Sequence, residues 1–200
     1  MRNKSYYGYL LMIRLGNILR ETGLFFCGKK ALIYIKTKIT EYLMNILVAY
    51  YSWSGNTKEL AELIQSNINS SIFAIEPAIP YTQNYNELVI QAKSEINCRY
   101  TPELKETVFD IEKYDTVFLG TPNWWGSLPP TVRSFINFHN LSEKKIIPFI
   151  THGGGGVQNI ITEIEELCPN CTIEKNPWVG YGNRTAGIQG WLNDLNLKRL

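Results

Sequence analysis

From residue 45 onward the chain alternates between two patterns of apolar and polar residues. Short, mainly apolar runs are typical of strands, and longer stretches with apolar residues three or four positions apart are typical of helices that bury one face. The predicted strands are 45–51, 70–76, 114–120, 144–150 and 171–175. The predicted helices are 57–68, 85–96, 131–139, 157–167 and 187–196.

This strict alternation predicts an α/β fold with one doubly wound, five-stranded parallel sheet and helices on both of its faces. The runs 45–51, 114–120 and 144–150 are apolar almost throughout, as expected for strands that helices cover on both sides. In such a sheet, ligands bind beyond the carboxyl ends of the strands. The loops that follow these three strands are therefore the first place to search for a functional site.

The charge distribution separates an amino-terminal segment from the rest of the chain. Residues 1–43 carry eight Lys or Arg and two Glu, a net charge of +6. Residues 44–200 carry twelve Lys or Arg and sixteen Asp or Glu, a net charge of −4. Because Met44 directly precedes the first predicted strand, we predict that 44–200 form the folded domain. We interpret 1–43 as a basic extension, either a mis-assigned start of translation or a non-functional tail, with a membrane-surface segment as the alternative.

Composition and charge also narrow the choice of partners. A mildly acidic body does not favour nucleic acid, and basic residues interrupt every apolar stretch of 1–43 before it reaches the ~20 residues that a membrane span needs. Cys168 and Cys171 form a lone C-P-N-C motif, for which we predict a structural role, with a redox or metal role as the alternative. We assign no metal site. Cysteine usage is compatible with the cytoplasm, where we expect the protein to be located.

The loop after the first predicted strand has the composition of an anion site. Its sequence, S-W-S-G-N-T at 52–57, offers hydroxyls and backbone amides at the start of a predicted helix, where unpaired amides and the helix dipole favour a negative group. It lacks the lysine of a nucleoside-triphosphate loop and the spacing of a dinucleotide loop. A phosphate monoester therefore fits it best. The alternative is that Thr57 or Asn56 merely caps the helix.

Two further loops have the composition to enclose the rest of a ligand. The segment 121–130, T-P-N-W-W-G-S-L-P-P, contains adjacent tryptophans, and we expect one to be buried and the other to offer an exposed aromatic surface. The segment 151–156, T-H-G-G-G-G, lets backbone approach a ligand closely because glycine has no side chain. A mobile loop without function is the alternative there. A phosphate pocket, an aromatic wall and a glycine wall together indicate a phosphorylated planar cofactor, for which FMN is the best match.

These segments also resemble the flavodoxin-like family, particularly its short bacterial branch of FMN proteins. The resemblance covers 45–195 and is carried by V-A-Y-Y-S-W-S-G-N-T, Y-D-T-V-F-L-G-T-P-N-W-W-G and I-I-P-F-I-T-H-G-G-G-G. It implies the strand order 2-1-3-4-5 and FMN as the cofactor. Tyr81 and Tyr85 match a P-Y-x-x-x-Y pattern of the branch, and we interpret both as structural or as supports for the residues that touch the ligand. By this resemblance FMN would be bound by Ser52, Trp53, Ser54, Gly55, Asn56, Thr57, Thr121, Pro122, Asn123, Trp124, Trp125, Gly126, Thr151, His152, Gly153, Gly154 and Gly155.

The resemblance implies electron transfer or oxidoreduction with a redox partner protein or a small-molecule donor or acceptor. Residues 120–130 and 151–160 contain no Asp or Glu, so a negatively charged reduced flavin would meet less repulsion there than beside acidic loops. This favours an NAD(P)H-dependent quinone oxidoreductase as the alternative to an electron carrier, and it leaves open whether the protein is an enzyme. A flavin-free α/β interaction module is the alternative from another class.

Overall fold

The structure is a computed structural model that describes residues 45–195 and residue 197. The predicted extension 1–43 lies outside the described residues, so its interpretation stays a prediction. The strands are Ile46–Tyr50 (β1), Ser70–Ala74 (β2), Thr116–Pro122 (β3), Lys145–His152 (β4), Thr172–Ile173 (β5) and Trp178–Tyr181 (β6). The α-helices are Asn56–Asn67 (α1), Tyr85–Asn97 (α2), Pro130–Phe138 (α3), Ile160–Leu167 (α4) and Ile188–Asp194 (α5), and a 3-10 helix covers Ile111–Lys113.

The strands form one parallel sheet in the order β2-β1-β3-β4-β5, which confirms the predicted fold class and strand order. In the centre of the sheet, Val48 of β1 lies opposite Phe118 of β3. Both side chains are fully buried, as predicted for strands that helices cover on both sides. Residues Asn45–Asp194 form one compact unit.

Helices cover both faces of the sheet, as the alternation predicted. On one face, the ring of Phe118 contacts that of Trp191 in α5, with 6.0 Å between centroids. On the opposite face, Phe73 of β2 contacts Phe135 of α3 at 6.2 Å. Helix α1 contacts α5, whereas α3 contacts both α2 and α4. The sheet is therefore the middle of three layers, and its carboxyl edge is the part that helices leave open.

The prediction of a single fifth strand over 171–175 is wrong in its extent. Two short strands, β5 and β6, both pair in parallel with β4. Between them, Glu174 forms an ion pair with Lys145 at 3.2 Å, and Pro177 has no N–H to donate to a strand ladder. The Glu174 N–H still donates to the Ile146 carbonyl at 2.9 Å, so the chain leaves the sheet after Glu174 and joins it again at Trp178. The second strand, β6, runs on to the carboxyl edge of the sheet.

His139 follows the last residue of α3 and connects this helix to the segment between α2 and β3. The backbone N–H of Val108 donates to its Nε2 at 3.0 Å, and its Nδ1 lies 3.0 Å from the carbonyl oxygen of Phe135. A ring that accepts at Nε2 and donates at Nδ1 is neutral. Burial lowers the pKa of His139 below its ordinary value, because the charged form would lose its hydration.

We expect the free energy of unfolding to fall as the pH drops below about 6.5, because the unfolded chain then binds a proton that the folded His139 does not. Above that pH the contribution of His139 is fully present. The variant His139→Gln should flatten this dependence in urea unfolding between about pH 7.5 and 5.5. The chain has two histidines, so His152→Gln is a matched control that should keep it. An unchanged pH dependence in His139→Gln would contradict the assignment.

Candidate functional site

The carboxyl ends of β1, β3, β4 and β6 surround a cleft of about 600 Å³. It lies at the sheet edge where the sequence predicted a ligand. Ten of the seventeen predicted residues line it, and six further residues come from α2 and from the end of β6. The lining consists of Trp53, Ser54, Asn56, Tyr85, Leu88, Val89, Ala92, Pro122, Asn123, Trp124, Trp125, Thr151, His152, Gly153, Tyr181 and Gly182.

The amino terminus of α1 opens beside this cleft without a capping side chain. The N-cap residue is Gly55, at φ 94°, and it makes no side-chain cap bond. The first helical bond runs from the Glu59 N–H to the Gly55 carbonyl, at 3.0 Å. The alternative that Thr57 or Asn56 caps the helix is therefore wrong. An uncapped first turn leaves backbone amides and the positive end of the helix dipole free for an anion.

Ser52 and Thr57 do not line the cleft but hold its walls in place. The Gly55 N–H donates to Ser52 Oγ at 3.1 Å, which shapes the loop. The buried hydroxyls of Thr57 and Thr151 lie 2.8 Å apart and share a hydrogen bond, which joins the start of α1 to the end of β4. Two hydroxyls carry two hydrogens and this bond uses one, so the pair keeps one donor for a further acceptor.

The loop after β3 is a tight two-residue turn. Trp124 and Ser127 pair through two backbone hydrogen bonds of 3.2 and 2.9 Å. Between them, Trp125 has φ 55° and Gly126 has φ 82°, and two successive positive φ angles are the mark of a type I′ turn. Such a conformation is uncommon for a bulky residue, so the surrounding contacts must hold Trp125 in position.

Asn123 connects this turn to the glycine loop. Its Oδ1 accepts from the Gly126 N–H at 2.8 Å, and its Nδ2 donates to the Gly156 carbonyl at 2.7 Å. Its backbone N–H donates to the Thr151 carbonyl at 2.8 Å. One side chain thus sets the spacing between two walls of the cleft.

The two tryptophans of the turn differ in environment, as the sequence predicted. Trp124 packs edge-on against Tyr51 and Tyr81, with ring centroids 5.4 and 5.2 Å away. The side chain of Trp125 is 53% exposed, and its Nε1 donates to the Val89 carbonyl of α2 at 3.1 Å. Trp124 therefore anchors the loop, while Trp125 presents an aromatic surface at the mouth of the cleft.

The two tyrosines that were interpreted as structural have different positions. Tyr81 is buried, and its hydroxyl donates to Glu95 Oε2 at 2.6 Å. Burial, followed by this bond to Glu95, raises the pKa of Tyr81, so the hydroxyl stays protonated. Tyr85 lines the cleft and is 65% exposed. Tyr81 therefore lies away from the cleft, as a structural or supporting residue would, whereas Tyr85 begins α2 and lines the cleft itself.

Gly153 leaves space that the protein itself does not use. A Cβ built at Gly153 would meet no atom within 4 Å, and its backbone is not in the left-handed region. Neither packing nor conformation therefore requires glycine at this position, which lines the cleft. Next to it, His152 Nδ1 accepts from the Gly154 N–H at 2.9 Å, and the imidazole packs edge-on against the ring of Tyr181. The space over Gly153 is open to a ligand.

Comparison with known proteins shows which family the chain belongs to. The flavodoxin family model matches residues 45–195. This chain belongs to the flavodoxin family. No curated protein sequence matches it. A candidate flavoprotein from Bacteroides eggerthii is 32% identical, with a TM-score of 0.66 over 75% of this chain and 96% of that one. A flavoprotein from Lactobacillus acidophilus in complex with FMN is 21% identical, with a TM-score of 0.61 over 74% and 99%, and shows the same fold.

This flavodoxin domain builds one further wall of the cleft, at the end of β6, that was not predicted from the sequence. Tyr181 and Gly182 line the cleft, and Asn183 Nδ2 donates to Glu59 Oε2 of α1 at 3.0 Å. The signal was present in the segment Y-G-N-R-T-A-G at 181–187, a polar loop with two glycines. It was overlooked because the preceding strand was not predicted.

None of the described residues that line the cleft is Asp, Glu, Lys or Arg. The acid-free loops predicted from the sequence thus form an uncharged cavity, and no carboxylate from elsewhere in the described chain joins its lining. Its polar groups are hydroxyls, amides and one imidazole. The helix end and the charged residues outside the lining, Glu59 in the first turn of α1 among them, therefore determine the local potential.

Cys168 and Cys171 are joined in a disulfide at the carboxyl end of α4. They directly precede β5, at the amino edge of the sheet and opposite the cleft, so they take no part in it. Their structural role stays a prediction. Within residues 45–195, no cluster of three or more His, Cys, Asp or Glu could hold a metal ion. No helix in the same part of the chain is long and apolar enough to cross a membrane.

We expect Asn123→Ala to lower the free energy of unfolding by about 1–3 kcal/mol, because it leaves the Gly126 N–H and the Gly156 carbonyl without their side-chain partner. Urea unfolding at neutral pH measures the loss. Asn140→Ala is the matched control, since Asn140 accepts one bond, from the Ser142 N–H at 3.2 Å, in an exposed turn. Equal stability of the two variants would show that Asn123 does not hold the two walls together.

Proposed function

We propose that this flavodoxin domain binds FMN in the cleft and uses it for electron transfer or oxidoreduction. The observation that carries the proposal is the uncapped amino terminus of α1 beside an uncharged, aromatic-walled cavity. A phosphorylated planar molecule needs both features in one place. The bound group would supply one- or two-electron redox chemistry, while the chain supplies binding and electrostatics.

The residues of the cleft fit the parts of FMN. The amides of residues 56–58 and the Ser54 hydroxyl would hold the phosphate, with the spare hydrogen of the Thr57–Thr151 pair beside them. The walls at Trp125 and Gly153 would accept the flavin ring, one through its aromatic surface and the other through the space over its backbone. The FMN complex of the Lactobacillus acidophilus flavoprotein, which shares this fold, supports the same cofactor.

A quinone oxidoreductase that uses NAD(P)H is the second candidate, and the uncharged lining favours it. With no carboxylate among the described lining residues, Coulomb repulsion does not oppose a negatively charged, fully reduced flavin. An electron carrier would instead profit from acidic neighbours that separate the two one-electron steps. The physiological redox partner, the location in the cytoplasm and the assignment of residues 44–200 as the folded domain stay predictions.

The first test is the absorption spectrum of the purified protein after incubation with FMN and removal of the excess. We expect flavin bands and a rise in melting temperature that depends on FMN concentration. A colourless protein with an unchanged melting temperature would overturn the proposal and favour an interaction module without flavin.

A second test separates the phosphate from the ring. Ser54→Ala should weaken FMN about tenfold to hundredfold, the worth of a hydrogen bond to a charged group, and leave riboflavin unchanged because riboflavin has no phosphate. Fluorescence titration with both ligands measures the ratio. Ser66→Ala is the control, because Ser66 Oγ donates to the Leu63 carbonyl near the far end of α1. Equal losses for FMN and riboflavin would remove Ser54 from the phosphate site.

A third test addresses the open space at Gly153. Gly153→Ala should leave the unfolding free energy of the FMN-free protein nearly unchanged, because the new Cβ meets nothing. It should weaken FMN and riboflavin alike by about fivefold to hundredfold, the cost of overpacking. The matched control is Gly190→Ala in α5, where a Cβ also meets nothing and helix propensity rises. Unaltered flavin affinity in Gly153→Ala would place the ring elsewhere.

A further inference from the structure

Two cations lie over aromatic rings that line the cleft. Lys93 Nζ is 4.6 Å from the ring centroid of Trp125, and the guanidinium of Arg184 is 5.4 Å from that of Tyr181. Both rings line the cleft and both are 53% exposed. A cation over an aromatic face is held in place, yet its charge is not neutralised. The charge therefore stays available to an anion that reaches the mouth of the cleft.

Lys93 and Arg184 keep their charge because no ion pair is found at either residue within the described part of the chain. Neither Lys93 nor Arg184 takes part in the ion pairs found among residues 45–195. Two carboxylates on the same elements or bonded to a neighbouring residue, Glu95 of α2 and Glu59 beside Asn183, have other partners. Glu59 accepts from Asn183, and Glu95 accepts from Tyr81 and Gln91. Among the described residues, the two cations therefore face a lining without carboxylates and form no ion pair.

Their placement defines the kind of ligand. Lys93 lies on α2 and holds the Trp125 side of the cleft, while Arg184 follows β6 and holds the Tyr181 side. A molecule that enters between them meets aromatic surfaces and a positive potential from both sides. Because Trp125 would accept the flavin ring, the second ligand is left with the ring of Tyr181 and with the two cations. The ring favours a planar molecule, and the cations favour a negative charge on it.

We propose that Lys93 and Arg184 select a planar, negatively charged small molecule as the redox partner of the flavin. This inference rests on the proposed function, because it assigns the mouth of the cleft to a second ligand beside bound FMN. Phosphate, sulfonate and carboxylate groups share the chemistry that the two cations recognise. Lys93 and Arg184 thus determine which molecules reach the cofactor, whereas the amino terminus of α1 binds the phosphate of FMN.

The test uses FMN-loaded, oxidised protein and two ligands of equal shape, naphthalene-2-sulfonate and the uncharged naphthalene-2-sulfonamide. Isothermal titration calorimetry gives both dissociation constants. We expect the sulfonate to bind more tightly than the sulfonamide. The ratio of the two dissociation constants should fall about two- to fivefold in each of the single variants Lys93→Gln and Arg184→Gln, the range that an exposed charge pair supplies. Binding of the sulfonamide should not change, and added salt should reduce the advantage.

Lys113→Gln is the matched control, since Lys113 Nζ lies 4.9 Å from the ring centroid of Tyr114, away from the cleft lining. It should keep the full preference for the sulfonate. Equal binding of the two ligands by the parent, no detectable binding of either, or an unchanged preference in both cleft variants would overturn the inference while FMN binding stands. If the two cleft variants lost as much affinity for FMN as for the sulfonate, the cations would belong to the cofactor site, and the inference would be overturned too. A protein that takes up no FMN would overturn both proposals.

Discussion

Parallel hydrogen bonding among the three central strands is the constraint on which the rest of the structure depends. β1, β3 and β4 run side by side in one direction, so the loops that follow them all leave from the same edge. Helices cover both faces of these strands, and Val48, Phe118 and Ile147 are fully buried. Because a break in this pairing would expose both layers of the core, the positions of the three loops are as stable as the fold itself.

Neutral side chains brace the loops at this edge. Asn123 connects the type I′ turn to the glycine loop, and the hydroxyls of Thr57 and Thr151 join α1 to β4. Ion pairs in the same positions would have brought carboxylates to the lining of the cleft. With amides and hydroxyls instead, the lining of the cavity stays uncharged, and its potential comes from the end of α1 and from charged residues outside the lining such as Lys93, Arg184 and Glu59. The same bracing therefore has a structural effect and an electrostatic one.

Local sequence was sufficient for the parts of the fold that depend on periodicity and turn chemistry. The buried runs, the alternation of strands and helices and the strand order followed from the apolar pattern and from the family resemblance. The S-W-S-G-N-T loop was recognised because several small polar residues between a strand and a helix are unusual. The fifth strand was predicted wrongly, since Pro177 has no N–H for the ladder and the second half of the pairing, Trp178–Tyr181, has only four residues and no recognisable pattern.

Only the tertiary structure decided which of the candidate residues face the cleft. Thr57 looked like a ligand or a cap in the sequence, but it is buried against Thr151, a residue 94 positions later. Tyr85 and Tyr181 entered the cleft from elements whose orientation depends on packing across the sheet. The sequence by itself determined the elements up to β4 and their helices, the open edge and the chemical class of the three loops that follow β1, β3 and β4. Which side chains meet there depends on contacts between residues far apart in the chain, and a local pattern carries no information about such contacts.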